Sequence, residues 1–479
     1  MAESKIQNPK SKIHLVGIGG AGLSAIAHVL LGRGYLVSGS DEQSNEATAA
    51  LQAAGAIIYQ GHQASHVAGA DALIISSAVR ESNPEVMAAR AAGIPVYKRA
   101  DFLGQLMEGN TGIAVAGSHG KTTTTGMIAQ ILLKAGHDPT VILGGILPDL
   151  GGNGRAGGGP HFVIEADEYD YMFLGLRPQV AVITNVEYDH PDLFPTPADY
   201  QAAFAAFVQL LAPGGRLVLC ADDPGAMALL AGANLPGVEI CVYTLQTLAV
   251  GRRPSAVIFQ ALDLRANPIG GTDFLVQRSA AKSEIMGLAR LRIPGEHNVR
   301  NALAAIAVSL GLGLDFHTVS QALASFGGVQ RRFQVTGEVG GVTVIDDYAH
   351  HPTEIRATLA AARQRYRGRR LWAVWQPHTF SRTKALLDDF AASFGQADRV
   401  VALDIYRSRE HDSQGMHTAQ VVERMGHAQA CYVGGREEAA DYILDRVRPG
   451  DVILTLGAGD GNLVGQAVLA QLQERVSNE

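Results

Sequence analysis

The chain has 479 residues, with 39 Lys and Arg against 46 Asp and Glu, a formal net charge of −7, 47% hydrophobic residues and 18% charged ones. That balance describes a globular protein with sizeable cores and gives no electrostatic basis for binding nucleic acid or an anionic membrane. No apolar run reaches the length of about 18 residues that a membrane span needs. Cys220, Cys241 and Cys431 lack metal or disulfide spacing, so a reducing cytoplasm with no membrane insertion is expected. The opening segment MAESKIQNPKSK is polar and lacks the apolar core of a signal peptide. The length predicts about three domains, and nothing in it selects an oligomeric state.

The first predicted strand, Ile13-His14-Leu15-Val16, runs into Gly17-Ile18-Gly19-Gly20-Ala21-Gly22, and a helical pattern follows to Leu31. Short apolar runs at 35–38, 56–59, 72–76 and 94–97 alternate with helical stretches, which predicts a parallel, doubly wound sheet. Gly17-x-Gly19-x-x-Gly22 reads as a dinucleotide fingerprint, with Asp41 about where a ribose-binding acid would sit. On its own the turn supports a diphosphate-bearing ligand rather than a particular cofactor, or else a tight strand–helix turn without one. The polar break Glu108-Gly109-Asn110 closes a first domain, 1–108.

The second block, 109–328, opens on Ile113-Ala114-Val115-Ala116, a tight turn Gly117-Ser118-His119-Gly120-Lys121-Thr122, and a Thr-rich helix start that includes Thr123. Strand, glycine turn and helix N-terminus together make a phosphate cradle, because backbone N–H groups and the helix dipole face the anion. Lys121 would reach the β/γ-phosphates and the Thr122 hydroxyl would meet Mg²⁺. Further strands are predicted at 162–165, 180–184, 216–220 and 239–243. The glycine-rich stretch 151–160 reads as a mobile loop, and 250–294 as an irregular antiparallel edge. Glu165 and His190 fall at neighbouring strand ends, where they could hold Mg²⁺. Asp167, Glu168 and Asp189 either join them or form a solvated acidic loop. Asn298 and Asn301, beside His297, share one face of a helix over 298–310; they reach adenine or phosphates, or merely cap the helix.

The third block, 329–479, begins with Arg331-Arg332-Phe333, whose guanidinium could swing onto a γ-phosphate as domains close. Strands are predicted at 342–346, 371–375, 400–404 and 452–456, with a helix over 352–366. Asp346 to Pro352 and Gln376 to Thr383 put polar clusters at consecutive strand ends, the mouth of a site. His350-His351 lack the spacing of a zinc site. Gly457 to Gly461 reads as a structural turn.

In this order GIGGAGLSAIA, AGSHGKTTTT, EADEYD, TNVEYDH, GEHNVRNALAA, RRF, DDYAHHPTEIRATL, QPHTFSRT and LGAGD resemble the Mur ligase family over nearly the whole chain. The resemblance implies an α/β protein of three domains: Rossmann-like, P-loop ATPase-type and Rossmann-like. It implies that Gly17, Gly19, Gly20, Gly22, Ser40, Asp41 and Ser76 bind a UDP-sugar substrate, so the first turn is not an NAD site. Gly117, Ser118, His119, Gly120, Lys121, Thr122, Thr123, His297, Asn298, Asn301 and Asp347 would bind ATP. Thr122, Glu165 and His190 would hold Mg²⁺. Lys121, Glu165, His190 and Arg332 would carry the chemistry, and Tyr348, His350 and Arg382 would hold the amino acid. The implied reaction activates the lactyl carboxylate of UDP-N-acetylmuramate as an acyl phosphate, which the amine of L-alanine attacks. No lysine occurs between Lys134 and Lys282 to serve as the carbamylated lysine of some relatives, which favours the alanine-adding branch. The competing branch attaches a whole tripeptide. More remotely, an NAD-dependent oxidoreductase would explain Gly17 to Gly22 and Asp41, but not Lys121 and Thr122.

Overall fold

A computed structural model describes residues 10–231, 233–247 and 256–478. The first nine residues of the polar N-terminal segment, and 250–255 of the predicted irregular edge, lie outside the described residues.

Among the described residues the strands form three sheets. The first is five-stranded and parallel, with Lys12–Val16 at its centre between Leu36–Asp41 and Ala72–Ile75. Ile13, Leu15 and Val16 are wholly buried, as a parallel strand covered on both faces requires. The central strand delivers Gly17 to the carboxyl edge of the sheet, where helix Ala21–Gly32 begins.

The second sheet has ten strands. Thr111–Ala116 lies between Val180–Ile183 and His161–Glu165, all parallel, so Ala116, Ile183 and Glu165 end side by side. The expected antiparallel edge is present as Val257–Ala266, Thr272–Ser279 and Ser283–Arg290. The stretch 151–160 departs from the mobile loop read in the sequence: Gly152–Arg155 is a strand, paired antiparallel with the unanticipated strand Thr140–Leu147. Gly154, Gly157 and Gly159 leave no room for a Cβ against neighbouring backbone, whereas Gly151 and Gly152 face open space. A Cβ on Gly154 would run into the carbonyl of Ala25, and the Asn153 amide donates to Ala21 O and Ser24 Oγ, both at 2.9 Å. One apolar cluster runs from Ile13, Leu15 and Ile26 through Phe102 to Phe162, Phe173 and Phe204, so the first two units share a core.

The third sheet has six strands, with Val342–Asp347, Val452–Leu456 and Leu371–Trp375 adjacent and parallel. Its two edge strands, Gln334–Val339 and Ala430–Gly434, were not anticipated. Both are only partly buried, so neither shows an apolar run. The third unit carries its own apolar clusters, around Trp375 on one face and Trp372 on the other. No helix among the described residues is long and apolar enough to cross a membrane.

Candidate active site

The strand Thr111–Ala116 turns through Gly117 and Gly120, at φ of 138° and 80°, into helix Lys121–Lys134. Both angles lie where a side chain is strained, and a Cβ on Gly120 would stand 2.6 Å from Asn301 Oδ1. Lys121 folds back over the turn. Its Nζ donates to Gly117 O at 2.6 Å and Ser118 O at 3.2 Å, and pairs with Glu168 at 2.9 Å. Burial works against the ammonium, but Glu168 and its acidic neighbours outweigh it and keep Lys121 charged. Thr122 Oγ1 donates to Glu165 at 2.9 Å, and the other oxygen of Glu165 accepts from Gly144 N at 2.7 Å. Ser118 donates to Glu187 O, and Thr123 is buried behind the loop.

His190 is not beside Glu165. Its Nε2 lies 3.8 Å from Glu168 and 3.7 Å from Asp189, on a left-handed backbone at φ 56°. The solvated-loop alternative fails for Glu168 and Asp189, which are 0% and 2% exposed. Glu168 holds Lys121 and the Tyr200 hydroxyl, Asp189 holds Arg382, and Asp167 pairs with Arg99 at 2.9 Å.

Two cavities meet at this loop. The first, of 340 Å³, is lined by Thr123, Asp222, His297, Asn298, Asn301 and Asp347. Burial drives the His297 imidazole down to about 4, so it is neutral, and lifts Asp347 to about 6 despite Arg332 and two backbone N–H donors, Phe333 and Ala349. Asn298 donates to Pro294 O and Asn301 to Asn298, so these amides also build the helix start. The second cavity, of 830 Å³, extends from Gly19 and Gly22 past Lys121 and Glu165 to Tyr348, His350 and Arg382. His119, Gly120, Thr122, Arg332 and Glu354 line both.

At the Gly19 end the turn is held by its own side chains. Asp41 accepts from Gly19 N at 2.9 Å, and a Cβ on Gly17 would touch Ser76. Gly20 caps helix Ala21–Gly32, and a Cβ on Gly22 would have to displace the Arg99 guanidinium. Ser40 is wholly buried and donates to Glu85 at 2.5 Å, so its hydroxyl faces away from the cavity.

At the third-unit end the two arginines part company. Arg331 binds Asp346 and the carbonyls of Gly457 and Gly459, which fits a structural role for that glycine turn. Arg332 faces the cavities, 3.7 Å from Glu354 and over the Tyr348 ring. His350 Nδ1 meets Tyr348 O. Arg382 is 3% exposed and is tied to Asp189 at 2.7 Å and to His378.

Three family models match: "Mur ligase family, catalytic domain" over 12–111, "Mur ligase middle domain" over 115–309 and "Mur ligase, glutamate ligase domain" over 331–459. A UDP-N-acetylmuramate–L-alanine ligase of Roseiflexus sp. (strain RS-1) is 46% identical over 470 residues, 96% of this chain and 99% of that one. The chain belongs to the Mur ligase family. Among solved structures, the UDP-N-acetylmuramate–alanine ligase of Thermotoga maritima is 31% identical, with a TM-score of 0.79 over 97% of this chain and 99% of that one. A murein peptide ligase of Psychrobacter arcticus is 26% identical, with a TM-score of 0.70 over 96% and 98%.

In this Mur ligase the seam between the second and third units is built from charge pairings that the sequence did not show. His119 bridges Glu187 at 2.9 Å and Glu354 at 3.3 Å. Burial opposes its charge, but the hydrogen bonds to these carboxylates prevail and raise the imidazole to about 9. Thr353 donates to Glu187 at 2.7 Å across the same seam. Side-chain atoms of His119, Glu187 and His351 also lie within 4.8 Å of one another. The pairings are 68 and 235 residues apart in sequence (187 − 119 and 354 − 119), beyond the reach of local spacing.

The histidines of the seam set its pH window. Burial depresses His297, His350 and His351 to about 4 and His378 to about 2. Their native values lie below the unfolded one, so their contribution is complete above about pH 6.5 and fades as pH falls toward 4. His119 has the opposite sign: its contribution is complete below about pH 6.5 and is lost as pH rises through 9. The melting temperature is therefore expected to peak near neutrality and to fall more steeply on the acid side. In His119→Ala the alkaline fall should flatten. Thermal scans from pH 4.5 to 10 check both limbs.

Proposed function

We propose that this chain joins L-alanine to the lactyl carboxylate of UDP-N-acetylmuramate, with hydrolysis of ATP to ADP and phosphate, in the cytoplasm. The observation that carries the reading is the junction of the two cavities: the phosphate loop and Arg332 form a wall common to both. A nucleotide in the smaller cavity then presents its terminal phosphate to a carboxylate in the larger one. The names of the similar ligases supply the substrates. Residues 1–108 take the sugar nucleotide, 109–328 take ATP, and 329–479 close over the site and take the amino acid.

The protein's tasks are positioning and charge neutralisation. The turn from Gly17 to Gly22 holds the diphosphate at the start of helix Ala21–Gly32. Lys121 holds the β/γ-phosphates, and Arg332 meets the charge on the transferring group. The lactyl carboxylate, once phosphorylated, has the leaving group it lacked, and the amine of L-alanine attacks the acyl carbon. His350 is neutral and lines that end of the cavity; its Nδ1–H meets Tyr348 O, which leaves Nε2 to accept N–H from the amine. Thr122 and Glu165 bring a hydroxyl and a carboxylate together at 2.9 Å, with His190 on the same cavity wall. This oxygen-rich set suits a hard, partly hydrated cation. Mg²⁺ bound there would neutralise phosphate charge.

The test is phosphate release from ATP with Mg²⁺ and UDP-N-acetylmuramate, comparing L-alanine, the tripeptide L-Ala-γ-D-Glu-meso-diaminopimelate and no amine. Release that depends on L-alanine is expected. Preference for the tripeptide moves the chain to the recycling branch, and no release with either amine overturns the reading.

A further inference from the structure

L-Alanine brings a carboxylate that takes no part in the reaction and keeps its negative charge. The larger cavity is already lined by Glu165, Asp167, Asp189 and Glu354, so that carboxylate needs a cation of its own. Six cationic side chains line the cavity, and five are committed. Arg99 pairs with Asp167 at 2.9 Å, Lys121 with Glu168 at 2.9 Å, and Arg331 with Asp346 at 3.0 Å. Arg332 lies 3.7 Å from Glu354, and Arg382 is bound to Asp189 at 2.7 Å. Arg382, the residue that the family resemblance assigns to the amino acid, is thus spent on a buried ion pair. The sixth is Arg409. Among the described residues it has no carboxylate partner; its guanidinium lies over the Tyr169 ring, 4.2 Å from the centroid.

The placement is built rather than incidental. The neighbouring Glu410 accepts from Phe380 N at 2.5 Å and Ser381 N at 3.2 Å, and also from the Ser381 hydroxyl. Those donors open helix Phe380–Ala385, which carries Arg382. Tyr406 N donates to Pro377 O at 2.8 Å, and Thr379 N donates to Tyr406 O at 3.0 Å. The loop is therefore fastened to the segment that also bears His378. Tyr169 belongs to the middle unit, and its ring meets His190 at 5.0 Å. Lying over the Tyr169 ring, the guanidinium makes no hydrogen bond among the described residues, which leaves its N–H fork free for a carboxylate that takes two parallel hydrogen bonds.

We infer that Arg409 binds the α-carboxylate of the incoming amino acid, with Tyr169 as the platform that orients it, an inference that rests on the ligase reading above. The amino-acid site is then completed across the middle and third units, and Arg382 acts as a positioning residue behind it.

The test is steady-state kinetics of the full chain and Arg409→Ala with L-alanine and with L-alaninamide, which lacks the carboxylate charge. In Arg409→Ala the KM for L-alanine should rise roughly 10- to 100-fold, the loss of a hydrogen bond to a charged group. The KM values for ATP and UDP-N-acetylmuramate should stay within about twofold, since neither ligand meets this side chain. The unsubstituted enzyme should prefer L-alanine to its amide, and Arg409→Ala should lose that preference. Arg409→Lys, which keeps the charge and loses the fork, should fall between the two. An unmoved KM for L-alanine, a preserved preference over the amide, or an equal rise in all three KM values overturns the assignment and leaves the ligase reading intact. No L-alanine-dependent phosphate release from the unsubstituted enzyme overturns both.

Discussion

Lys121→Ala should reduce phosphate release by about 1,000-fold, the scale on which one lost contact to a developing charge acts. Binding of UDP-N-acetylmuramate, measured by calorimetry, should be unchanged, because the turn from Gly17 to Gly22 lies on a different sheet. The substitution has a second effect that must be separated from the first. Lys121 neutralises Glu168, which is wholly buried, and a buried carboxylate stripped of its partner destabilises a fold by about 3–5 kcal/mol. The double variant Lys121→Ala/Glu168→Gln should recover most of the melting temperature and none of the turnover. Turnover restored in the double variant would mean that Lys121 acts through Glu168 alone. Loss of sugar-nucleotide binding in the single variant would defeat the division of labour between the first two units.

Arg332→Ala should lower kcat by about 1,000-fold, the lower end of the range for an arginine supplied to a transferring phosphoryl group. The KM for ATP should change little, because the remainder of the smaller cavity is untouched. Arg331→Ala is the internal control. Arg331 binds Asp346, Gly457 and Gly459 within the third unit, so its loss should lower the melting temperature and spare kcat. Equal loss of kcat in both variants would contradict the separate roles of adjacent arginines.

What the sequence made legible follows the range over which each signal acts. Parallel strands buried on both faces appear as apolar runs, and Ile13 to Val16, Ile113 to Ala116 and the central strands of the third sheet were readable on that basis. The glycine turns were readable because the backbone itself must adopt left-handed angles there. The edge strands Gln334–Val339 and Ala430–Gly434 were not, since exposure on one side dilutes their pattern. Within the site, Lys121, Thr122 and Glu165 stand together as motif spacing suggested. The pairing of Glu168 with Lys121, of Asp189 with Arg382 and of His119 with Glu354 was invisible, because each joins residues that only the folded chain brings together. Gly152–Arg155 misled for a further reason: glycine signals freedom in an isolated segment and tight fit in a packed one, and composition alone does not separate the two.

That tight fit gives the molecule a ruler. Gly154 lies against Ala25 with no space for a methyl group, Asn153 is bonded to the first turn of helix Ala21–Gly32, and one core runs beneath both units. If the turn from Gly17 to Gly22 holds the diphosphate as proposed, it and the phosphate loop are graduations on one rigid scale. A sugar nucleotide is gauged by whether the span from its diphosphate to its carboxylate matches the interval between them, and a shorter or longer analogue finds no compliance on this side of the site. On the proposed reading, any adjustment falls to the third unit, whose apolar clusters are separate from that shared core.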